Sequence, residues 1–198
     1  MNIERAQISE NILKSIVFGL TGKNASGKGT VAEILKRKNF TYHSLSDSLR
    51  DELKSLKKEE TRENLIDIGN KLRQKGGPGV LADKLIPKLN SENNHIVDSI
   101  RNPLEVISLR KETLLRRFFL ISVDANSRLR YDRLCSRGRI GDTDSWEKFV
   151  EQDKKEENND DPNKQQLSRT MEMADYSIDN SGTLEDLEAQ VNRIISSL

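Results

Sequence analysis

A single cysteine, Cys135, excludes an internal disulfide and a metal cage built of thiolates. Aromatic residues make up 5% of the 198, too few to interleave with basic side chains as a stacking channel for single-stranded nucleic acid requires, so a nucleic-acid partner is not expected. Neither sign of charge dominates: 33 Lys and Arg stand against 32 Asp and Glu, which excludes a surface built to coat a polyanion. No apolar run approaches the roughly 20 residues that cross a bilayer. Residues 1–14 carry Glu4 and Glu10 and lack the apolar block of a secretory signal. A soluble, cytoplasmic protein without a membrane partner is expected. Leu, Ile, Val and Phe still number 52, enough for an economical aliphatic core.

The length suggests one domain, residues 15–198, preceded by an N-terminal arm over 1–14. Short apolar runs alternate with longer amphipathic stretches, the rhythm of an α/β fold with a parallel sheet. Residues 15–20, 95–98, 118–123 and 176–179 read as buried strands, and 40–45 as a weaker fifth. Between them, Val31, Ile34 and Leu35, then Leu65, Ile66, Ile68 and Leu72, and finally Leu184, Leu187, Val191, Ile194 and Ile195 recur at helical spacing. Gly76-Gly77-Pro78-Gly79 interrupts a helix pair.

Gly22-Lys23-Asn24-Ala25-Ser26-Gly27-Lys28-Gly29-Thr30 directly follows the strongest strand and directly precedes an amphipathic helix, the context of a phosphate-binding loop. Glycines let successive backbone N–H groups point inward at phosphate oxygens, and the helix N-terminus adds partial positive charge. Lys28 supplies a full charge for the β- and γ-phosphates of ATP, and Thr30 a phosphate contact. The usual hydroxyl position directly after the lysine is Gly29, so direct ligation of Mg²⁺ by Thr30 is not expected. Gly-Lys-Gly-Thr resembles the loop of adenylate kinase and the nucleoside-monophosphate kinase superfamily, in which the metal is held largely through water.

Asp98 ends an apolar strand, where a carboxylate orients the water around Mg²⁺ as a Walker B acid does. Capping of the next helix is the competing role for such a residue. Arg101 lies where the related kinases carry an arginine that grips the acceptor phosphate. After the second strand, Asp47 or Ser46 is expected to cap a helix. The stretch from Leu45 to Arg50 resembles the Ser-x-x-Asp-x-x-Arg of adenylate kinases, which implies substrate contacts for Asp47 and Arg50. By the same resemblance Arg73 and the 76–79 loop close over the acceptor.

Between Arg110 and Arg139 there are nine basic and three acidic residues, and between Asp142 and Asp161 three basic and nine acidic. Arg130, Arg133 and Arg137 share one helical face and repel unless an anion lies between them, as a moving γ-phosphoryl group would. The block looks like the lid of the same superfamily, with a second lid helix around Trp146–Val150 whose carboxylates pair with the arginines. Cys135, His43 and His95 read as packing or structural residues. The ending from Ala174 through Asn180 and Gly182 resembles that of dephospho-coenzyme A kinases, where this turn lies beside the adenine.

The resemblance spans residues 15 to about 197 and is to adenylate-kinase-like and dephospho-coenzyme A kinase-like proteins of archaeal type. It implies a P-loop three-layer sandwich with a five-stranded parallel sheet, an acceptor-binding helical region over about 46–92 and a lid over about 127–160. The implied activity moves the γ-phosphoryl group of ATP, with Mg²⁺, to a small phosphorylated nucleotide substrate, a nucleoside or deoxynucleoside monophosphate. The alternatives are a dephospho-coenzyme A kinase-like enzyme, although the Asp-x-Asp expected of one after the second strand is missing, and a non-catalytic ATP-binding protein. A GTPase switch is disfavoured by the lack of a DxxG element and of Asn-Lys-x-Asp.

Overall fold

The structure is a computed structural model and describes residues 15–90, 92–112, 117–138, 145–157 and 160–198. The expected arm over 1–14 and parts of the 127–160 region lie outside the described residues. The element order is β1 (Ile16–Gly22), α1 (Lys28–Lys36), β2 (Phe40–Ser44), α2 (Leu45–Ser55), α3 (Arg62–Gly76), α4 (Val80–Leu85), a 3-10 turn (Ile86–Lys88), β3 (Asn94–Asp98), α5 (Pro103–Glu112), β4 (Arg117–Asp124), α6 (Ser127–Arg137), α7 (Trp146–Glu157), α8 (Leu167–Glu172), β5 (Tyr176–Asp179) and α9 (Leu184–Ser196).

The five strands form one parallel sheet in the order β2-β3-β1-β4-β5. β1 lies at its centre, with Phe18 beside Ile96 on one side and Phe119 on the other. The chain crosses from one side of β1 to the other between β3 and β4, so the carboxyl end of β1 opens at a topological switch point, where such sheets hold ligands.

Alternation along the strands divides the core in two. On one face Val17, Val97 and Leu120 pack with Leu45, Leu49 and Leu53 of α2, Ile68 of α3, Leu81 and Leu85 of α4 and Val106 and Leu109 of α5. On the other, Phe18, Leu20, Ile96, Ile121, Val123 and Ile178 pack against Val31, Ile34 and Leu35 of α1 and Leu187, Val191 and Ile194 of α9. This is the expected three-layer arrangement. Phe18, fully buried and stacked on Phe40 at 5.2 Å between ring centres, contributes roughly 1.5–3 kcal/mol by leaving water.

Two local expectations are corrected. The cap of α2 is Ser44, whose hydroxyl accepts from Ser46 N, so the helix begins at Leu45 and Asp47 falls in its first turn. Cys135 is exposed rather than packed, because Leu134 already faces inward on α6 and the next residue lies about 100° round the helix.

Candidate active site

β1 ends at Gly22, whose φ of +141° suits glycine, and a Cβ there would stand 2.0 Å from Val123 O. The turn that follows delivers Gly27, with φ +99°, as the residue before α1, and it offers no side-chain cap. The partial positive charge of the opening turn of α1 is therefore not compensated by a capping side chain. A Cβ on Gly27 would lie 2.0 Å from Asn180 Nδ2, the atom that donates to Ser26 O at 2.9 Å and fixes the loop to the turn after β5.

Lys28 folds back over this loop, its ammonium donating to Gly22 O and Lys23 O at 2.7 Å each. Burial pushes its pKa down to about 7, Arg101 and Arg62 add to the effect, and Asp98 and Glu156 oppose it. The amine thus sits in a site that disfavours its charge, and a neighbouring anion would restore it.

A cavity of about 1020 Å³ opens over the loop. One side of it is formed by Asn24 to Thr30 with Arg133, Arg137 and Gly138. The other is formed by Tyr42, Ser44, Ser46, Arg50, Glu60, Arg62, Arg73, Asp98, Ser99, Arg101, Glu156 and Gln165. Seven Lys and Arg side chains and three carboxylates line it, so the whole favours anions.

Asp98 stands at the end of β3 as the strand pattern predicts. Its carboxylate accepts from Tyr42 Oη at 3.0 Å and from Ser99 N at 2.6 Å. Burial, and then the carboxylate of Asp98, push the Tyr42 phenol well above its ordinary range, so it stays a donor. Among the described residues no group of three or more His, Cys, Asp or Glu is placed to hold a metal. A single carboxylate nonetheless suits Mg²⁺, which keeps most of its water and leans on substrate phosphates. Thr30 is exposed and lines the cavity.

On the β2–β3 side each arginine already has an acid. Arg50 Nε donates to Glu60 at 2.7 Å and its Nη1 to Asp47 at 3.0 Å. Arg62 Nη2 and Arg101 Nη1 both hold Glu156, the latter at 3.3 Å. Arg73 is buried and donates through Nε and Nη2 to Glu105 Oε1 at 3.1 and 2.7 Å. Glu105 Oε2 accepts in turn from Arg101 N at 2.8 Å and Asn102 N at 3.1 Å, so this pair fixes the chain that carries Arg101.

The three arginines of α6 part company. Arg133 donates to Asn180 O at 2.9 Å and Arg137 to Asn24 Oδ1 at 3.1 Å, and both line the cavity. Arg130, 1% exposed, does not. Its guanidinium grips Asp153 of α7 at 2.9 and 2.6 Å and donates to Ala125 O and Asn24 O. It ties α7 to the loop, as does Lys23 through Glu157 at 2.6 Å. Gly22, Asp47, Asn180 and Gly182 also lie outside the cavity lining, Asn180 as the support of the loop and Gly182 beside Asp186.

Sequence reasoning passed over Tyr42, Arg62, Glu105 and Glu156. Glu105 had a signal: Asn102-Pro103-Leu104-Glu105 is a capping-box spacing, and Asn102 Oδ1 does accept from Leu104 N at 2.9 Å. Arg62 and Glu156 sit in charged helical stretches with nothing local to distinguish them.

A family profile described as AAA domain matches residues 19–157. A UPF0200 protein of Pyrococcus furiosus is 32% identical over 187 residues, covering 92% of this chain and 97% of that one. Its counterpart in Pyrococcus abyssi is 31% identical with the same coverage. Among solved structures, shikimate kinase from Aquifex aeolicus superposes with a TM-score of 0.54 at 12% identity, covering 91% of this chain and 96% of that one. A gluconokinase from Sinorhizobium meliloti gives 0.51 at 14%, covering 92% and 94%. With sheet order, phosphate loop and relatives in agreement, the chain belongs to the AAA domain and UPF0200 families and has the fold of the P-loop kinases.

Proposed function

We propose that this protein transfers the γ-phosphoryl group of ATP to a small phosphorylated acceptor, a nucleoside or deoxynucleoside monophosphate. The observation that carries the reading is one cavity walled by a phosphate loop with Lys28 on one side and by Arg50, Arg62 and Arg101 on the other. Two anions meeting in that space would be held with their phosphates facing, and the entropy of bringing them together is met by binding.

In this reading the amides of residues 24–30 and the Lys28 ammonium hold the β- and γ-phosphates. Asp98 would hold the Mg²⁺ that accompanies ATP through water, and the ion would supply neutralisation of charge on the phosphate oxygens. Arg50, Arg62 and Arg101 hold the acceptor phosphate, with Arg73 behind Arg101 as a positioning residue through Glu105. An acceptor oxygen attacks the γ-phosphorus as the bond to the β-phosphate oxygen breaks and ADP leaves. The nucleophile is already ionised, so no general base is needed. Arg133 and Arg137 stabilise the charge in transit, while Arg130 positions α6 and α7 as a lid over about 127–160. Residues 46–92 form the acceptor region. No helix among the described residues is long and apolar enough to cross a membrane.

The test is ADP release in a coupled assay over a panel of monophosphate acceptors, with ATP binding measured in parallel. Acceptor-dependent turnover is expected; ATP bound with no acceptor above background contradicts the reading.

A further inference from the structure

Glu156 is 5% exposed, and its carboxylate bridges two guanidinium groups that come from distant parts of the chain, Arg62 at the start of α3 and Arg101 after β3. It reaches them from α7, a helix held in place independently by Asp153 on Arg130 and Glu157 on Lys23. All three bridging groups line the main cavity, and Glu156 lies close enough to Lys28 to bear on its charge. An acid is thus delivered into the place where two arginines converge beside the phosphate loop.

We infer that the Glu156 carboxylate is a resident stand-in for the acceptor's anion, and that its displacement from Arg62 and Arg101 makes the site select a phosphate monoester over a carboxylate. The inference rests on the acceptor reading above and deepens it. Two half-buried guanidinium groups converging near Lys28 are held together by a counter-ion, and the Glu156 carboxylate supplies it. A ligand carboxylate entering there exchanges one carboxylate for another and gains nothing. A phosphate monoester brings a charge of about −1.5 to −2 and three acceptor oxygens, enough to bridge both arginines and win the exchange. Once released, Glu156 no longer ties the last turn of α7 to the acceptor side.

The test uses the full chain with the phosphate loop filled by a saturating non-hydrolysable ATP analogue. Inorganic phosphate is titrated by calorimetry into wild type and Glu156→Gln, with acetate in parallel. Removing the competitor should tighten phosphate binding about tenfold, within the usual span of coupling between competing contacts, and let acetate bind where wild type shows none. Unchanged or weaker phosphate binding by a variant that still holds the analogue overturns the inference. Should Glu156→Gln not fold, Glu156→Asp, one methylene shorter and unable to span both arginines, must shift affinity in the same direction. Amide exchange over 146–157 in wild type gives a second readout: phosphate should speed it at the last turn, and no change counts against displacement. Tighter phosphate binding without turnover on any acceptor would leave this inference standing while the kinase reading falls.

Discussion

The two sides of the cavity handle the same charge in opposite ways. On the phosphate-loop side Lys28 and Arg133 donate to backbone carbonyls. On the β2–β3 side Arg50, Arg62, Arg73 and Arg101 are each matched by a carboxylate. Neutral dipoles solvate a cation without cancelling it, so the loop side keeps its attraction for a polyanion; carboxylates cancel it, so the other side waits for a ligand that can replace them. In the proposed reading a triphosphate tail is thereby drawn first to the loop, and the second anion is admitted on competitive terms.

The comparison breaks most sharply at Lys28. In the proposed reading Lys28→Ala removes the ammonium that meets the phosphates, and it should lower kcat by at least about 10²–10³. The fold should survive, because among the described residues the ammonium's hydrogen bonds go to its own loop. Single-turnover transfer alongside circular dichroism separates the two effects.

On the opposite side the largest effect falls on stability. Arg73 and Glu105 are 2% and 0% exposed, and Arg73→Ala leaves a buried acid without its cation, at a cost of about 3–5 kcal/mol in urea unfolding. Replacing both partners, Arg73→Met with Glu105→Leu, should recover most of that loss. Turnover should stay low in the double variant, since the amides of Arg101 and Asn102 lose the carboxylate that holds them.

A subtler contrast is protonic. Burial pushes the Lys28 pKa down to about 7, against 10.5 for an ordinary lysine. Its folded pKa is the lower one, so between those values the unfolded chain binds the extra proton and stability rises with pH. A bound triphosphate restores the charge, so ATP binding at pH 8 should take up close to one proton. Calorimetry in buffers of different ionisation enthalpy measures it, and Lys28→Met should abolish the uptake.

The smallest effect should come from a pair outside the cavity. Arg37 to Glu188 joins α1 to α9 at 2.7 Å, but its side chains are 64% and 38% exposed, and Arg37→Ala should cost less than about 1 kcal/mol and leave turnover unchanged.

What the sequence disclosed follows the same division. The strands, the loop and the helix after it were legible because each is written in consecutive residues: an apolar run, a glycine-lysine spacing, a 3.6-residue period. Asp98 was legible because it ends a strand, and Arg101, three residues on, through the resemblance to related kinases. That the acidic helix from Trp146 pairs with arginines was legible from charge, and Asp153 on Arg130 is such a pair; that Glu156 meets Arg62 across 94 positions was not, since only the packing of α7 brings them together. Arg130, Arg133 and Arg137 share a face by spacing alone. Which of the three is buried depends on Asp153 of the neighbouring helix, a partner that periodicity cannot name. The cap of α2 moved from Asp47 or Ser46 to Ser44 because several residues there can accept from an opening amide, and the strand's end decides among them.

The most direct measurement is a calorimetric titration with an adenosine triphosphate moiety joined through phosphate to a nucleoside monophosphate. If both sides of the cavity hold phosphates at once, the joined compound binds far more tightly than ATP, and Arg101→Ala removes most of the gain. Affinity equal to that of ATP, insensitive to Arg101, would mean that only the loop side binds phosphate and would contradict the account.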